Sequence, residues 1–160
     1  MKTLIVYFSW SGNTEKIART LAIKTGGILF RLERRIPYSS DYNTCAYKEA
    51  KEEHDEVILP ELKTPLPDVM AYDRIILAFP IWWYTFPMVV ASFLSSITDW
   101  KGKRIDVFTN SYTDDPQYMV TSLRDVKHYA KNADVHRGLF NKEIDHLDQW
   151  LAENRLEEKA

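Results

Sequence analysis

Cysteine is nearly absent from this 160-residue chain: Cys45 is its only one, which excludes an internal disulfide framework and a cysteine-built metal or iron–sulfur centre. That usage fits a reducing, cytoplasmic setting. The thiol reads as a half-buried or surface group on a helix, since nothing near it in sequence would activate it. Glycine is scarce as well. The five glycines, Gly12, Gly26, Gly27, Gly102 and Gly138, allow neither G-x-G-x-x-G nor G-x-x-x-x-G-K-S/T, so dinucleotide-binding and nucleoside-triphosphate readings lose their main support. An excess of charge is missing too: 21 basic and 23 acidic residues leave a formal charge of -2, with no global pull toward nucleic acid or an anionic membrane. No apolar run is long enough for a membrane span. The run Leu4 to Phe8 stops at Ser9, well short of roughly 20 residues, and no secretory signal is apparent. Repeats, linkers and low-complexity tracts are also lacking, so residues 1–160 read as a single domain. His54, His128, His136 and His146 form no compact ligand pattern, and no metal is expected.

What is present alternates. T-L-I-V-Y-F from Thr3 is apolar without a polar face and rich in β-formers, the mark of a central parallel strand buried on both sides. From Asn13, Ile17, Ala18, Leu21 and Ala22 fall on one helical face, and Gly26-Gly27 offers a stop. R-I-I-L-A-F (Arg74 to Phe79) repeats the strand signature, and Pro87 suits the first turn of a helix that turns Val89, Val90, Phe93, Leu94 and Ile97 inward. Ile105 to Thr109 and Val135 to Phe140 are two further strands, with helices from about Pro116 to Ala130 and from Asn141 to Leu151, the last burying Ile144, Leu147, Trp150 and Leu151. Between Ile28 and Leu66 the pattern is weaker: Ile28 to Leu32 as a strand, Pro37 to Asn43 as loop, Ala46 to Glu56 as a charged helix. This order predicts an α/β fold, a doubly wound sheet with helices on both faces and ligand sites beyond the carboxyl ends of its strands.

Three strand ends stand out. Ser9, Trp10, Ser11, Gly12, Asn13 and Thr14 lead from the first strand into a helix, where free backbone N–H groups and the helix dipole suit an anion. With hydroxyl donors but no lysine or arginine, this loop favours a terminal phosphate monoester over a triphosphate; the same residues also serve as ordinary helix caps. Pro80, Ile81, Trp82, Trp83 and Tyr84 open the densest aromatic cluster of the chain. Core plugs or an oligomer contact are the ordinary reading of such rings, but their place at the same sheet end decides for a wall against a flat ligand carrying a phosphate. Asn110, Ser111, Tyr112, Thr113 and Asp114 follow a third strand and read either as polar groups for a heterocycle edge or as a plain surface turn.

Y-F-S-W-S-G-N-T followed by F-P-I-W-W-Y-T-F-P, with P-Y-S-S-D-Y-N between them, resembles the bacterial flavodoxins over nearly the whole chain. The resemblance implies a five-stranded parallel sheet in the order 2-1-3-4-5 and one noncovalent FMN. Ser9 to Thr14 would then wrap its phosphate, Pro80 to Tyr84 would stand beside the isoalloxazine, and Asn110 to Asp114 would form the third flavin loop, without the glycines the family often has there. The implied role is transfer of electrons between transiently docked redox proteins by a monomer or weak dimer, with no catalytic residue of its own. Two alternatives stay open: an FMN-dependent NAD(P)H or quinone oxidoreductase, for which Arg31, Arg34 and Arg35 offer a charge to a cofactor phosphate, and a flavin-free interaction domain of the same fold.

Overall fold

The computed structural model describes residues 1–154. Its centre is a five-stranded sheet formed by β1 (Thr3–Tyr7), β2 (Ile28–Arg31), β3 (Arg74–Pro80), β4 (Arg104–Asn110) and β5 (Asp134–Phe140). All four strand pairs are parallel and the order is β2-β1-β3-β4-β5, as the alternation and the resemblance predict. Thr3 to Tyr7 are all buried, because β1 lies inside the sheet with helices over both of its faces.

Alternate residues of these strands feed two cores. Leu4, Val6, Ile75, Leu77, Ile105 and Val107 face α4 (Met88–Ser95) and α5 (Gln117–Tyr129). Ile5, Tyr7, Ile76, Ala78 and Phe108 face α1 (Asn13–Thr25) and α6 (Leu147–Glu153). Pro87 precedes the first helical residue of α4 as its N-cap, with extended backbone. Val89, Val90, Phe93 and Leu94 are fully buried, while Ile97 lies beyond the helix end.

Two expected helices are subdivided. Asn141 to Leu151 begins as a 3-10 helix, Asn141–His146, and becomes α6 only at Leu147. Asn141 has a positive φ of 47°, and the Glu143 carboxylate accepts from the Phe140 amide (3.0 Å) and from Arg137 (2.9 Å). These contacts tighten the first turns against the end of β5. The expected charged helix Ala46 to Glu56 is two pieces, a π-helical stretch Cys45–Ala50 and α3 (Lys51–Glu56), and α2 (Tyr42–Thr44) starts inside the stretch read as loop, where Asp41 caps it through the Thr44 amide. Cys45 is buried, correcting the half-buried or surface reading, and burial raises its thiol pKa to about 11.

Where β5 joins β4 the register shifts between Val107 and Thr109. A Cβ on Gly138 would lie 2.4 Å from the Val107 carbonyl oxygen and 2.7 Å from the Phe108 ring. Backbone cannot yield cheaply, so Gly138→Ala is expected to cost about 2 kcal/mol by overpacking. Urea unfolding measures this, and an unchanged midpoint would refute the close approach.

Candidate functional site

The three loops named above meet at the carboxyl end of the sheet. Their first is short because β1 ends at Tyr7 and α1 starts at Asn13. Gly12 makes the turn with a left-handed φ of 100°, a conformation that costs an L side chain about 1–2 kcal/mol. No side chain caps α1, so its first N–H groups are left facing the loop. Ser9 is buried, and its Oγ accepts from the Gly12 amide at 3.1 Å. Thr14 is buried as well and donates its hydroxyl to Asn110 Oδ1 at 2.7 Å, tying the first loop to the third. Thr14→Val, which keeps the shape and removes this bond, is expected to cost about 1 kcal/mol. Thermal unfolding of ligand-free protein checks it.

The second loop is a tight hairpin turn. Trp82 donates its amide to the Thr85 carbonyl at 2.8 Å, and Trp83 and Tyr84 between them have φ of 54° and 73°. Positive φ at both central positions is the pattern that hairpin turns normally meet with Asn-Gly. External contacts hold the strained pair. Trp83 Nε1 donates to the Ala46 carbonyl (2.8 Å), Thr121 Oγ1 to the Tyr84 carbonyl (2.5 Å), and Thr85 Oγ1 to Asp125 (2.6 Å). Trp82 instead packs edge-on against Phe8 (5.2 Å) and Tyr38 (5.1 Å). The position-based preference for a ligand wall over a core plug is therefore too simple for Trp82, which lines the cleft and also packs against the core.

In the third loop the Ser111 amide donates to Asn141 Oδ1 at 2.7 Å, a brace from beyond β5 that nothing in the local sequence announces. Tyr112 at the tip is fully exposed. Asp114 approaches Asn141 Nδ2 (3.4 Å), and Asp115 accepts from the Gln117 amide (2.9 Å) at the start of α5.

Trp10, Ser11, Asn13, Pro80, Ile81, Trp82, Trp83, Tyr84, Asn110, Ser111 and Tyr112 line a common cleft of about 520 Å³. Ser9, Gly12, Thr14, Thr113 and Asp114 are not among its lining residues; of these Ser9 and Thr14 are buried. A wall missed from sequence is the helical run from Tyr42, which brings Tyr42, Cys45, Ala46, Tyr47 and Ala50 to the cleft, joined by Tyr118 of α5. The π-helical offset aligns residues five apart, and it turns Cys45 and Ala50 inward together.

This wall is fastened from beneath. Arg34 is bonded to Glu49 (2.7 Å) and Glu53 (3.1 Å) and stacks on the Tyr38 ring at 3.9 Å. Tyr38 donates its hydroxyl to Glu53; burial and that carboxylate push the phenol far above its usual range. Glu53 is itself pushed up by burial, with the bonds from Tyr38 and Arg34 opposing. Arg35 pairs with Glu61 (2.8 Å) and Arg31 with Glu15 (3.2 Å). The three arginines border a second cleft of about 490 Å³ behind Trp10, but each is already engaged by a carboxylate. Glu49 and Glu53, which belong to the segment read from sequence as a charged helix, are the partners of Arg34.

Eight aromatic side chains and no charged one line the first cleft. Such a surface suits a flat, conjugated ligand, and the uncapped helix end beside it suits an anionic tail held by neutral donors. Among the described residues no group of three metal-ligating side chains occurs, and no helix is long and apolar enough to cross a membrane.

A 2-1-3-4-5 parallel sheet with a cleft of this kind beyond its strand ends defines a doubly wound α/β protein, in which such clefts lie at the topological switch point. The chain belongs to the flavodoxin family, whose profile matches residues 2–154. Among solved structures it is similar to a proposed flavoprotein from Bacteroides eggerthii, at 25% identity over 95% of this chain and 96% of that one, with a TM-score of 0.79. A proposed flavoprotein from Bacteroides uniformis is 26% identical over 94% and 97% of the two chains, with a TM-score of 0.76. A flavoprotein in complex with FMN from Lactobacillus acidophilus shares the fold at 20% identity over 93% and 97%, with a TM-score of 0.76. No curated protein matches the chain.

Proposed function

We propose that the chain, acting as one domain, binds a single FMN noncovalently in this cleft and carries electrons between transiently docked redox proteins in the cytoplasm. The observation that carries the reading is the cleft itself: rich in aromatic rings, free of charged side chains, and ending at an uncapped helix N-terminus. Ser9 to Thr14 would hold the phosphate through backbone amides and hydroxyls. Pro80 to Tyr84 and the Tyr42 to Ala50 wall would flank the ring, with Asn110 to Ser111 at its polar edge. Bound FMN supplies the redox chemistry. The protein's part is to bind and orient it, to exclude water with Trp82 and Trp83, and to leave a rim at the exposed Tyr84 and Tyr112 where a partner protein can approach.

A carrier is favoured over an NAD(P)H or quinone reductase because Arg31, Arg34 and Arg35 are committed to Glu15, Glu49, Glu53 and Glu61. They leave little free charge for a dinucleotide phosphate. The test is an FMN titration followed by fluorescence quenching, then electron transfer with the loaded protein. The expected result is one FMN per chain and passage of electrons from an NADPH-dependent flavodoxin reductase to cytochrome c. NAD(P)H oxidation by the loaded protein alone, with a quinone as acceptor, would make it an oxidoreductase instead. Failure to bind FMN would leave a flavin-free interaction domain.

A further inference from the structure

We propose that Arg31 sets the preference of the first loop for a phosphorylated flavin over an unphosphorylated one. The inference rests on the FMN reading above. Arg31 is the last residue of β2 and stands opposite Tyr7, the last of β1, so its side chain can reach the loop that begins two residues later. It contacts the start of that loop and the first turn of the helix that follows it. Nη2 donates to the Ser9 carbonyl at 3.0 Å, and Nη1 donates to Glu15 Oε1 at 3.2 Å. Ser9 is the buried foot of the loop, and its hydroxyl receives the Gly12 amide. Holding the Ser9 carbonyl therefore holds the hydroxyl and, through it, the left-handed turn at Gly12.

The second contact concerns charge. Glu15 sits in the first turn of α1, where a carboxylate stabilises the helix but repels an anion arriving at the same end. The cradle carries no cation of its own to offset that repulsion. Around Glu15 are the Tyr7 hydroxyl (3.3 Å), Arg19 one turn along α1 (3.5 Å), and Arg31. Arg19 is 62% exposed and screened by water, whereas Arg31 is 43% exposed and joined to the loop backbone. Arg31 is thus the cation that masks Glu15 while standing at the foot of the cradle. Riboflavin, lacking the phosphate, is insensitive to both effects, which separates this role from a general contribution to the fold.

The experiment measures dissociation constants for FMN and for riboflavin by fluorescence quenching. It compares wild type, Arg31→Gln, Arg31→Lys and the double variant Arg31→Gln with Glu15→Gln. Arg31→Gln is expected to weaken FMN about tenfold, the scale of a hydrogen bond to a charged group, and riboflavin less than about twofold. Lysine restores the charge but not the fork and recovers part of the loss. Removing the Glu15 charge in the glutamine background also recovers part. Riboflavin binding reports that each variant's cleft is formed, and Arg31→Lys carries the comparison should the glutamine variant fail to fold. Equal weakening of both flavins, or no change in either, overturns the proposal while leaving FMN binding intact. Wild-type protein that binds neither flavin overturns the FMN reading and this inference with it.

Discussion

Asp106→Ala is expected to cost about 3–5 kcal/mol, the largest stability loss predicted for a single side chain here, because it strands a buried cation. Asp106 is fully buried on the α1–α6 side of β4. Its carboxylate receives Arg74 Nη2 at 2.8 Å and Arg104 at 3.1 Å. Arg74 is 7% exposed; among the described residues its guanidinium otherwise bonds the Asn154 carbonyl (2.6 Å), and its Nε has no partner there. Without Asp106 the Arg74 guanidinium keeps its desolvation cost and loses its counter-charge. Arg104, at 28% exposure, can turn toward water. The sign of the pair's net contribution is a separate matter: replacing Arg74 with Met together with Asp106→Leu is expected to recover most of the loss, since well-packed apolar groups often match a buried pair. Urea unfolding of the three proteins decides it, and a loss below about 1 kcal/mol for Asp106→Ala would show that Arg74 is not dependent on this carboxylate. The network lies at the amino ends of β3 and β4, away from the cleft, so flavin affinity of the folded variant should be unchanged.

The contrast between that network and the cleft shows which features local sequence carries. β1 and β3 are legible because strands covered on both faces are apolar at every position, and Leu4 to Phe8 and Ile75 to Phe79 say so without reference to anything else. The three strand-end loops are legible because a doubly wound sheet exposes its strand ends at one edge, so locating the strands locates the loops. The remainder depends on tertiary partners. Glu49 and Glu53 look like solvent-facing charges until Arg34, fifteen or more residues earlier, folds beneath them. Asn141 looks like the start of a helix until its side chain is found holding the Ser111 amide. The π-helical stretch that brings Cys45 and Ala50 to the cleft has no composition of its own, and Arg74 and Asp106 are 32 residues apart. Most misleading is Trp83-Tyr84, since turn chemistry would assign positive φ to asparagine and glycine.

That turn carries the second large prediction, in which stability and binding move in opposite directions. Tyr84 is 63% exposed at a φ of 73°, so Tyr84→Gly releases about 1–2 kcal/mol of left-handed strain. Glycine's greater freedom in the unfolded chain takes back about 0.5–1 kcal/mol. The difference is a net gain of up to about 1.5 kcal/mol, yet FMN affinity should fall about tenfold, within the range for loss of one aromatic stacking partner. Trp83→Ala removes more: the ring, its bond to the Ala46 carbonyl, and its edge contact with Tyr47 at 5.7 Å. Both the turn and the Tyr42 to Ala50 wall lose an anchor, and FMN affinity is expected to fall about a hundredfold, the upper end of the stacking range. Flavin titrations and urea unfolding on the same two variants test the pair of effects. Should Tyr84→Gly destabilise the protein, the strain is not where the backbone angles put it. Should Trp83→Ala bind FMN as tightly as wild type, the aromatic wall is packing rather than binding surface, and the strained turn is retained for the sake of the fold alone.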